Sequence, residues 1–152
     1  MNAGPTEAGQ LATEIAKARE GKESSNEILV CPPAISIPVV VEALANTQVQ
    51  VGAQNVYTED NGAFTGEIST SMIKDAGCNY VIVGHSERRA RGESDEEIYR
   101  DVQAVLRSKV TAIICVGEQE RDEHGNFFSV VEAQLRAALR DVSSSDLKRV
   151  VI

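Results

Sequence analysis

The stretch Tyr80-Val81-Ile82-Val83-Gly84-His85-Ser86-Glu87-Arg88-Arg89 decides the fold of this sequence. Four consecutive apolar residues are typical of a parallel strand that is buried on both faces. The run ends at a glycine, and five polar residues follow, where parallel α/β folds place their chemistry. His85 can act near neutral pH as an acid, a base or a neutral hydrogen-bond donor. The stretch predicts a buried strand with a polar segment behind it, although composition alone also fits an ordinary charged surface loop.

Further apolar runs on both sides of this stretch alternate with helical patterns. Amphipathic spacing or capping signals predict helices, and short runs rich in β-branched residues predict strands. Residues 54–68 carry neither pattern, and an irregular segment of that length is often functional. The predicted strands are 28–30, 49–53, 80–83, 112–116 and 150–152, and the predicted helices are 8–16, 37–45, 69–76, 94–106 and 127–141.

The order of these elements is one helix, four strand–helix pairs and a fifth strand, which predicts a parallel sheet covered by helices. An open doubly wound sheet and part of a (β/α)8 barrel both fit that order. The sequence starts on a helix without a preceding strand and ends inside an apolar strand. We therefore expect residues 1–152 to form a single partial domain of a longer barrel, since a complete one takes about 250 residues.

The composition is that of a soluble globular protein, with 42% hydrophobic and 25% charged residues among 152. A net charge of −8 and 4% aromatic residues argue against a nucleic-acid partner. The apolar runs are far shorter than the roughly 20 residues of a membrane span, and no signal peptide is visible. We therefore expect a cytoplasmic protein that binds neither nucleic acid nor membrane.

The cysteines and histidines do not suggest a metal site. Cys31, Cys78 and Cys115 are an odd number in apolar surroundings, which favours reduced thiols. His85 and His124 lie 39 positions apart, and no C-x-x-C is present. Neither a zinc site nor a glycine-rich nucleotide loop is expected.

The segment 81–89 resembles the signature of the triosephosphate isomerase family. Cys31-Pro32-Pro33 and the segments 52–57, 62–69, 92–96 and 114–118 also resemble family segments, in the same order. The resemblance extends over nearly the whole chain and implies an incomplete TIM (β/α)8 barrel of about five parallel strands with covering helices. It further implies interconversion of dihydroxyacetone phosphate and D-glyceraldehyde 3-phosphate through an enediol, in glycolysis and gluconeogenesis, with no metal or cofactor.

The resemblance assigns His85 the role of the family's electrophilic histidine. This family is itself the familiar example of an imidazole that a helix N-terminus keeps neutral and that polarises a substrate carbonyl. Ser86 and Glu87 would support the site, Glu87 by hydrogen bonding toward a catalytic lysine. Cys115 would lie behind the catalytic carboxylate, and a core thiol is at least as good an interpretation of that residue.

The segment 54–68 resembles the family's interdigitating loop, which implies a homodimer. Thr65 would approach the partner's histidine, and Glu67 would pair with Arg88 across the interface. An ordinary mobile loop is the alternative, but an apolar ring at a loop tip favours burial against a partner. The residues predicted to line the interface are Gln54, Asn55, Phe64, Thr65, Gly66, Glu67 and Arg88.

The resemblance places other functional residues outside this sequence. The family's Asn-x-Lys would precede Met1, and the glutamate base and the phosphate-binding loops would follow Ile152. No substrate-binding residue is therefore expected in the chain, and we expect it to be inactive alone. One internal departure is that only Ala90 and Arg91 separate Arg89 from Gly92, where the family usually has one more residue, commonly apolar.

Two other classes of protein are alternatives. One is a truncated, catalytically inactive relic or a non-enzymatic interaction module of the same fold. The other, weaker alternative is an unrelated flavodoxin-like binding domain.

Overall fold

Five parallel strands form one sheet, with helices packed against it, in the computed structural model, which describes residues 2–22, 25–118 and 127–152. The strands are β1 (Ile28–Val30), β2 (Val49–Ala53), β3 (Tyr80–Val83), β4 (Thr111–Ile114) and β5 (Val150–Val151). The helices are α1 (Pro5–Arg19), α2 (Ile37–Ala43), α3 (Thr70–Asp75), α4 (Ser86–Arg89), α5 (Asp95–Arg107) and α6 (Phe127–Ala138). Short 3₁₀ turns precede α2 and β5.

The order of strands in the sheet is their order in the chain, β1-β2-β3-β4-β5. All neighbouring strands are parallel, and the pairing of β3 with β4 runs from Tyr80 opposite Thr111 to Val83 opposite Ile114. This confirms the predicted parallel sheet. A doubly wound sheet reverses its strand order at a switch point, so the sequential order favours the barrel. Among the described residues, β1 and β5 each pair with one strand, and the sheet does not close.

The core lies between the sheet and the helices that cover it. Ile98, Val102 and Val105, the predicted stripe of α5, are completely buried, as is Val81 of β3. Burying a valine or isoleucine contributes about 1.5–3 kcal/mol, so this contact fixes α5 behind β3 and β4. The predicted capping box at Ser94 is present and sets the first residue of α5.

Apart from helix ends that differ by one to three residues, two local features near His85 differ from the predictions. The polar segment after β3 is not a loop, because Ser86–Arg89 forms the short helix α4. Strand β4 ends at Ile114 rather than at residue 116. The early end of β4 has a local cause. Gly84, with a φ of +73°, turns the chain out of the sheet after β3, so β4 has no strand to pair with on that side beyond Ile114. One further backbone bond survives, from the Cys115 N–H to the Val83 carbonyl at 2.9 Å.

Candidate active site

His85 lies at the carboxyl end of β3, where it is the N-cap residue of α4. Its Nδ1 accepts a hydrogen bond from the backbone N–H of Glu87 at 3.3 Å, and its side chain is 43% exposed. A ring nitrogen that accepts a hydrogen bond carries no proton, so the proton of the neutral ring lies on Nε2. The Glu87 carboxylate lies 3.9 Å from Nδ1, which is too far for a hydrogen bond between the two groups. In the neutral ring, the helix start therefore leaves Nε2 as the nitrogen that can donate a hydrogen bond.

A groove of about 1110 Å³ opens beside His85, where β3 and β4 end. We call it the His85 groove. Its walls bring together all the residues predicted to form or support the site, together with further residues from the segment after β4 and from α6. The lining includes His85, Ser86, Glu87, Cys115, Glu118 and Gln134. The strand ends thus assemble one polar site from segments that are far apart in sequence.

The Cys115 thiol behaves as a core group. Burial raises its pKa, against the opposing effect of the Arg89 charge. Burial also raises the pKa of both Cys31 and Cys78 to about 11. All three are free thiols, Cys78 buried and the other two half-buried. Because a thiolate rather than a thiol is the nucleophile, these shifts favour the core-thiol interpretation of Cys115.

Two residues of this region are not predicted by the sequence patterns. The Arg89 guanidinium donates to the carbonyls of Gly84 and Cys115, at 2.8 and 3.3 Å. The side-chain amide of Gln134, on α6, accepts from the Gly117 N–H at 2.8 Å and donates to the Gly117 carbonyl at 3.1 Å. Both side chains hold the backbone at the strand ends. The charge of Arg89 suggested surface exposure, and nothing in the sequence around Gln134 indicates this contact.

The predicted interface loop folds back on itself. The Tyr57 N–H donates to the Ile68 carbonyl at 2.8 Å, and the rings of Tyr57 and Phe64 lie 4.7 Å apart. Phe64 nevertheless stays 39% exposed. Gln54 donates to the Cys31 carbonyl at 2.8 Å, which ties the start of the loop to the end of β1. The loop tip, with Thr65, Gly66 and Glu67, is exposed.

A second groove, of about 340 Å³, separates this loop from α5, and both Glu67 and Arg88 line it. Within the chain, Arg88 already forms an ion pair with Glu93, which is 7% exposed. The second carboxylate oxygen of Glu93 has no hydrogen-bond partner among the described residues. Asp101 lines the same groove, and its burial, reinforced by Glu93, raises its pKa to about 7.

The buried position of Asp101 could have been found in the sequence. The residue lies three positions after Ile98 and four before Val105, so it belongs to the apolar stripe of α5. A carboxylate in such a stripe indicates a buried charge.

No described group of three or more His, Cys, Asp or Glu side chains could hold a metal ion. None of the described helices is long and apolar enough to cross a membrane. His124 lies outside the described residues.

A family model described as triosephosphate isomerase matches residues 1–152. The triosephosphate isomerase of Aquifex aeolicus (strain VF5) is 50% identical over 120 residues, which cover 78% of this chain and 49% of that protein. That of Roseiflexus sp. (strain RS-1) is 46% identical over 134 residues, covering 87% and 53%. The chain thus spans about half the length of these curated relatives.

A solved structure has the same fold. The crystal structure of triosephosphate isomerase from Bartonella henselae superimposes with a TM-score of 0.86 at 34% sequence identity. The match covers 100% of this chain and 62% of that one. The five strands are therefore those of a TIM barrel, as expected from the sequence.

Proposed function

Because this chain belongs to the triosephosphate isomerase family, we propose that the complete protein interconverts dihydroxyacetone phosphate and D-glyceraldehyde 3-phosphate through an enediol. The observation that carries the proposal is the hydrogen bond from the Glu87 N–H to His85 Nδ1. It leaves the proton of a neutral imidazole on Nε2, the form that an electrophile for a carbonyl oxygen requires.

In the proposed reaction a carboxylate base removes a proton from the substrate carbon next to the carbonyl. His85 donates a hydrogen bond from Nε2 to the carbonyl oxygen, which stabilises the negative charge that develops there. The imidazole then passes a proton between the two oxygens of the enediol. Ser86 and Glu87 support this arrangement from α4, and the family resemblance places Cys115 behind the catalytic carboxylate. The family resemblance assigns the base, the lysine and the phosphate-binding loops to segments outside residues 1–152.

We further propose that the complete protein is a cytoplasmic homodimer of glycolysis and gluconeogenesis and that it needs no metal or cofactor. The interface would be built on the loop 54–68. Its exposed tip supports this assignment, since Phe64 keeps an apolar surface in solvent that a partner subunit would cover. Gln54 and Asn55 would line the interface at the base of the loop.

The test is a coupled assay of glyceraldehyde 3-phosphate conversion by the complete protein. We expect His85→Gln to lower kcat by about 10²–10³-fold, because the variant loses the proton carrier and the electrostatic stabilisation together. KM should change little, since the affected interaction strengthens mainly in the transition state. His124→Gln is the matched control, because the sequence assigns no role to the chain's other histidine.

The polypeptide 1–152 alone is the second arm of this assay, and we expect no measurable turnover from it. A kcat of His85→Gln close to that of the wild type would contradict the assigned role of the histidine. Turnover by 1–152 near that of the complete protein would show that the base and the phosphate grip are assigned to the wrong segments. A complete protein without any isomerase activity would favour the inactive-relic interpretation.

A further inference from the structure

The side chain of Arg89 joins three separate segments of the chain. Its Nε donates to the carbonyl of Gly84 at 2.8 Å, and one terminal nitrogen donates to the carbonyl of Cys115 at 3.3 Å. The other terminal nitrogen pairs with the Asp95 carboxylate at 2.6 Å, and the side chain is only 12% exposed. The guanidinium therefore connects the end of β3, the end of β4 and the first turn of α5.

This contact depends on the shape of the guanidinium as well as on its charge. A planar fork offers donors in several fixed directions, whereas an ammonium is a single donor centre on a flexible stem. A lysine at this position would keep the charge but could not reach all three acceptors at once. Asp95 supplies the opposite charge that a largely buried cation needs.

Arg89 forms hydrogen bonds to the backbone on both sides of His85. The Gly84 carbonyl belongs to the peptide bond that enters His85, and because that unit is planar, fixing its oxygen also orients the His85 backbone. On the other side, the His85 carbonyl accepts from the N–H groups of Arg88 and Arg89, at 2.8 and 3.0 Å. The side chain of Arg89 thus holds the peptide before the histidine, while its main chain holds the one after it.

We propose that Arg89 is a positioning residue for His85. It ties the Gly84–His85 peptide to the end of β4, so that Nδ1 stays on the Glu87 N–H and the Nε2 proton remains available in the His85 groove. Its catalytic consequence rests on the proposed function, but the effect on the imidazole does not.

The test compares Arg89→Lys with wild type in the complete protein. In ¹⁵N NMR of the labelled histidines, we expect His85 of the wild type to show one neutral tautomer, protonated at Nε2. In Arg89→Lys we expect that signal to move toward a mixture of tautomers. We expect kcat to fall about 10–100-fold with KM changed less than about threefold, because a small misplacement of a reacting group costs rate rather than binding.

Arg107→Lys is the matched control, since Arg107 is an exposed residue of the last turn of α5, and we expect neither quantity to change. A folded Arg89→Lys variant with wild-type His85 signals and wild-type kcat would overturn the proposal, even if its Tm were lower. Should that variant fail to fold, Asp95→Asn removes only the balancing carboxylate. We expect a smaller shift of the His85 signals in the same direction, and unchanged signals would refute the proposal. If the wild-type protein has no isomerase activity but Arg89→Lys still moves the His85 signals, the positioning role stands and only the proposed function fails.

Discussion

Replacing Gly84 by alanine tests how tightly the strand end behind His85 is built. Gly84 has a φ of +73°, and a Cβ there would lie 3.1 Å from Ile98 Cδ1, 3.2 Å from the Arg89 guanidinium and 3.3 Å from the Cys115 carbonyl oxygen. Gly21 is a matched control, because its φ is +69° and its Cβ would meet nothing within 4 Å. The two substitutions therefore share the backbone strain and differ in crowding.

The expected magnitudes follow from these two contributions. A left-handed conformation costs an alanine about 1–2 kcal/mol, partly offset by about 0.4–1 kcal/mol from the stiffer unfolded chain. Gly21→Ala should therefore lower the free energy of unfolding by roughly 0–1.6 kcal/mol. Crowding at Gly84 adds about 1–3 kcal/mol, the usual range for overpacking, so Gly84→Ala should lose roughly 1–5 kcal/mol in total and about 1–3 kcal/mol more than Gly21→Ala.

Urea unfolding of both variants, followed by circular dichroism, measures the difference directly. Each kcal/mol corresponds to a Tm shift of roughly 2–4 °C for a domain of 150–250 residues, so a thermal scan gives a second estimate. Equal losses of stability in Gly84→Ala and Gly21→Ala would refute the close contact between Gly84 and the side chains of Ile98 and Arg89.

Two further predictions concern the second groove. Burial raises the pKa of Asp101 to about 7, so the folded state binds its proton more tightly than the unfolded state, and this residue lowers stability as the pH rises from about 4 to 7. As the pH rises from 4 to 8, the Asp101→Asn variant should become more stable relative to wild type by on the order of 2–4 kcal/mol. Urea unfolding at several pH values measures this difference, and a difference that does not vary with pH would contradict the prediction. Glu67→Gln and Arg88→Gln should show a coupling above about 0.5 kcal/mol in a double-mutant cycle on dimer dissociation, and strictly additive effects would remove the proposed pair.

Most of the fold could be predicted because the strands are short runs rich in apolar, β-branched residues and the long helices carry periodic apolar stripes. The apolar runs at Ile28–Val30 and Tyr80–Val83 form strands with the predicted bounds. The helix Ser86–Arg89 was missed because one turn is too short to show a period and contains no apolar residue. The helix begins at Ser86 because the His85 side chain accepts a hydrogen bond from the Glu87 N–H. This capping bond is a local contact, and helix propensity does not predict it.

The site was predictable only where a recognisable motif coincided with a strand end. His85, Ser86, Glu87 and Cys115 line one groove. The contacts of Arg89 with Cys115 and of Gln134 with Gly117 join residues 26 and 17 positions apart, and no pattern within a local window encodes them. The sequence could point to candidate residues of the groove, but not to the side chains that hold its walls together.

The sequential order of the strands has a consequence for biosynthesis. Every strand after β1 pairs with the strand made immediately before it, at separations from 21 residues, Ile28 to Val49, to 38 residues, Ala112 to Val150. A chain that emerges from the ribosome amino end first can therefore extend the sheet at one advancing edge, because each new strand finds its neighbour already synthesised. A doubly wound order such as 3-2-1-4-5-6 instead moves growth from one edge of the sheet to the other partway along the chain. Unpaired edges promote association between unfinished chains, so the topology limits the time for which each new edge is exposed.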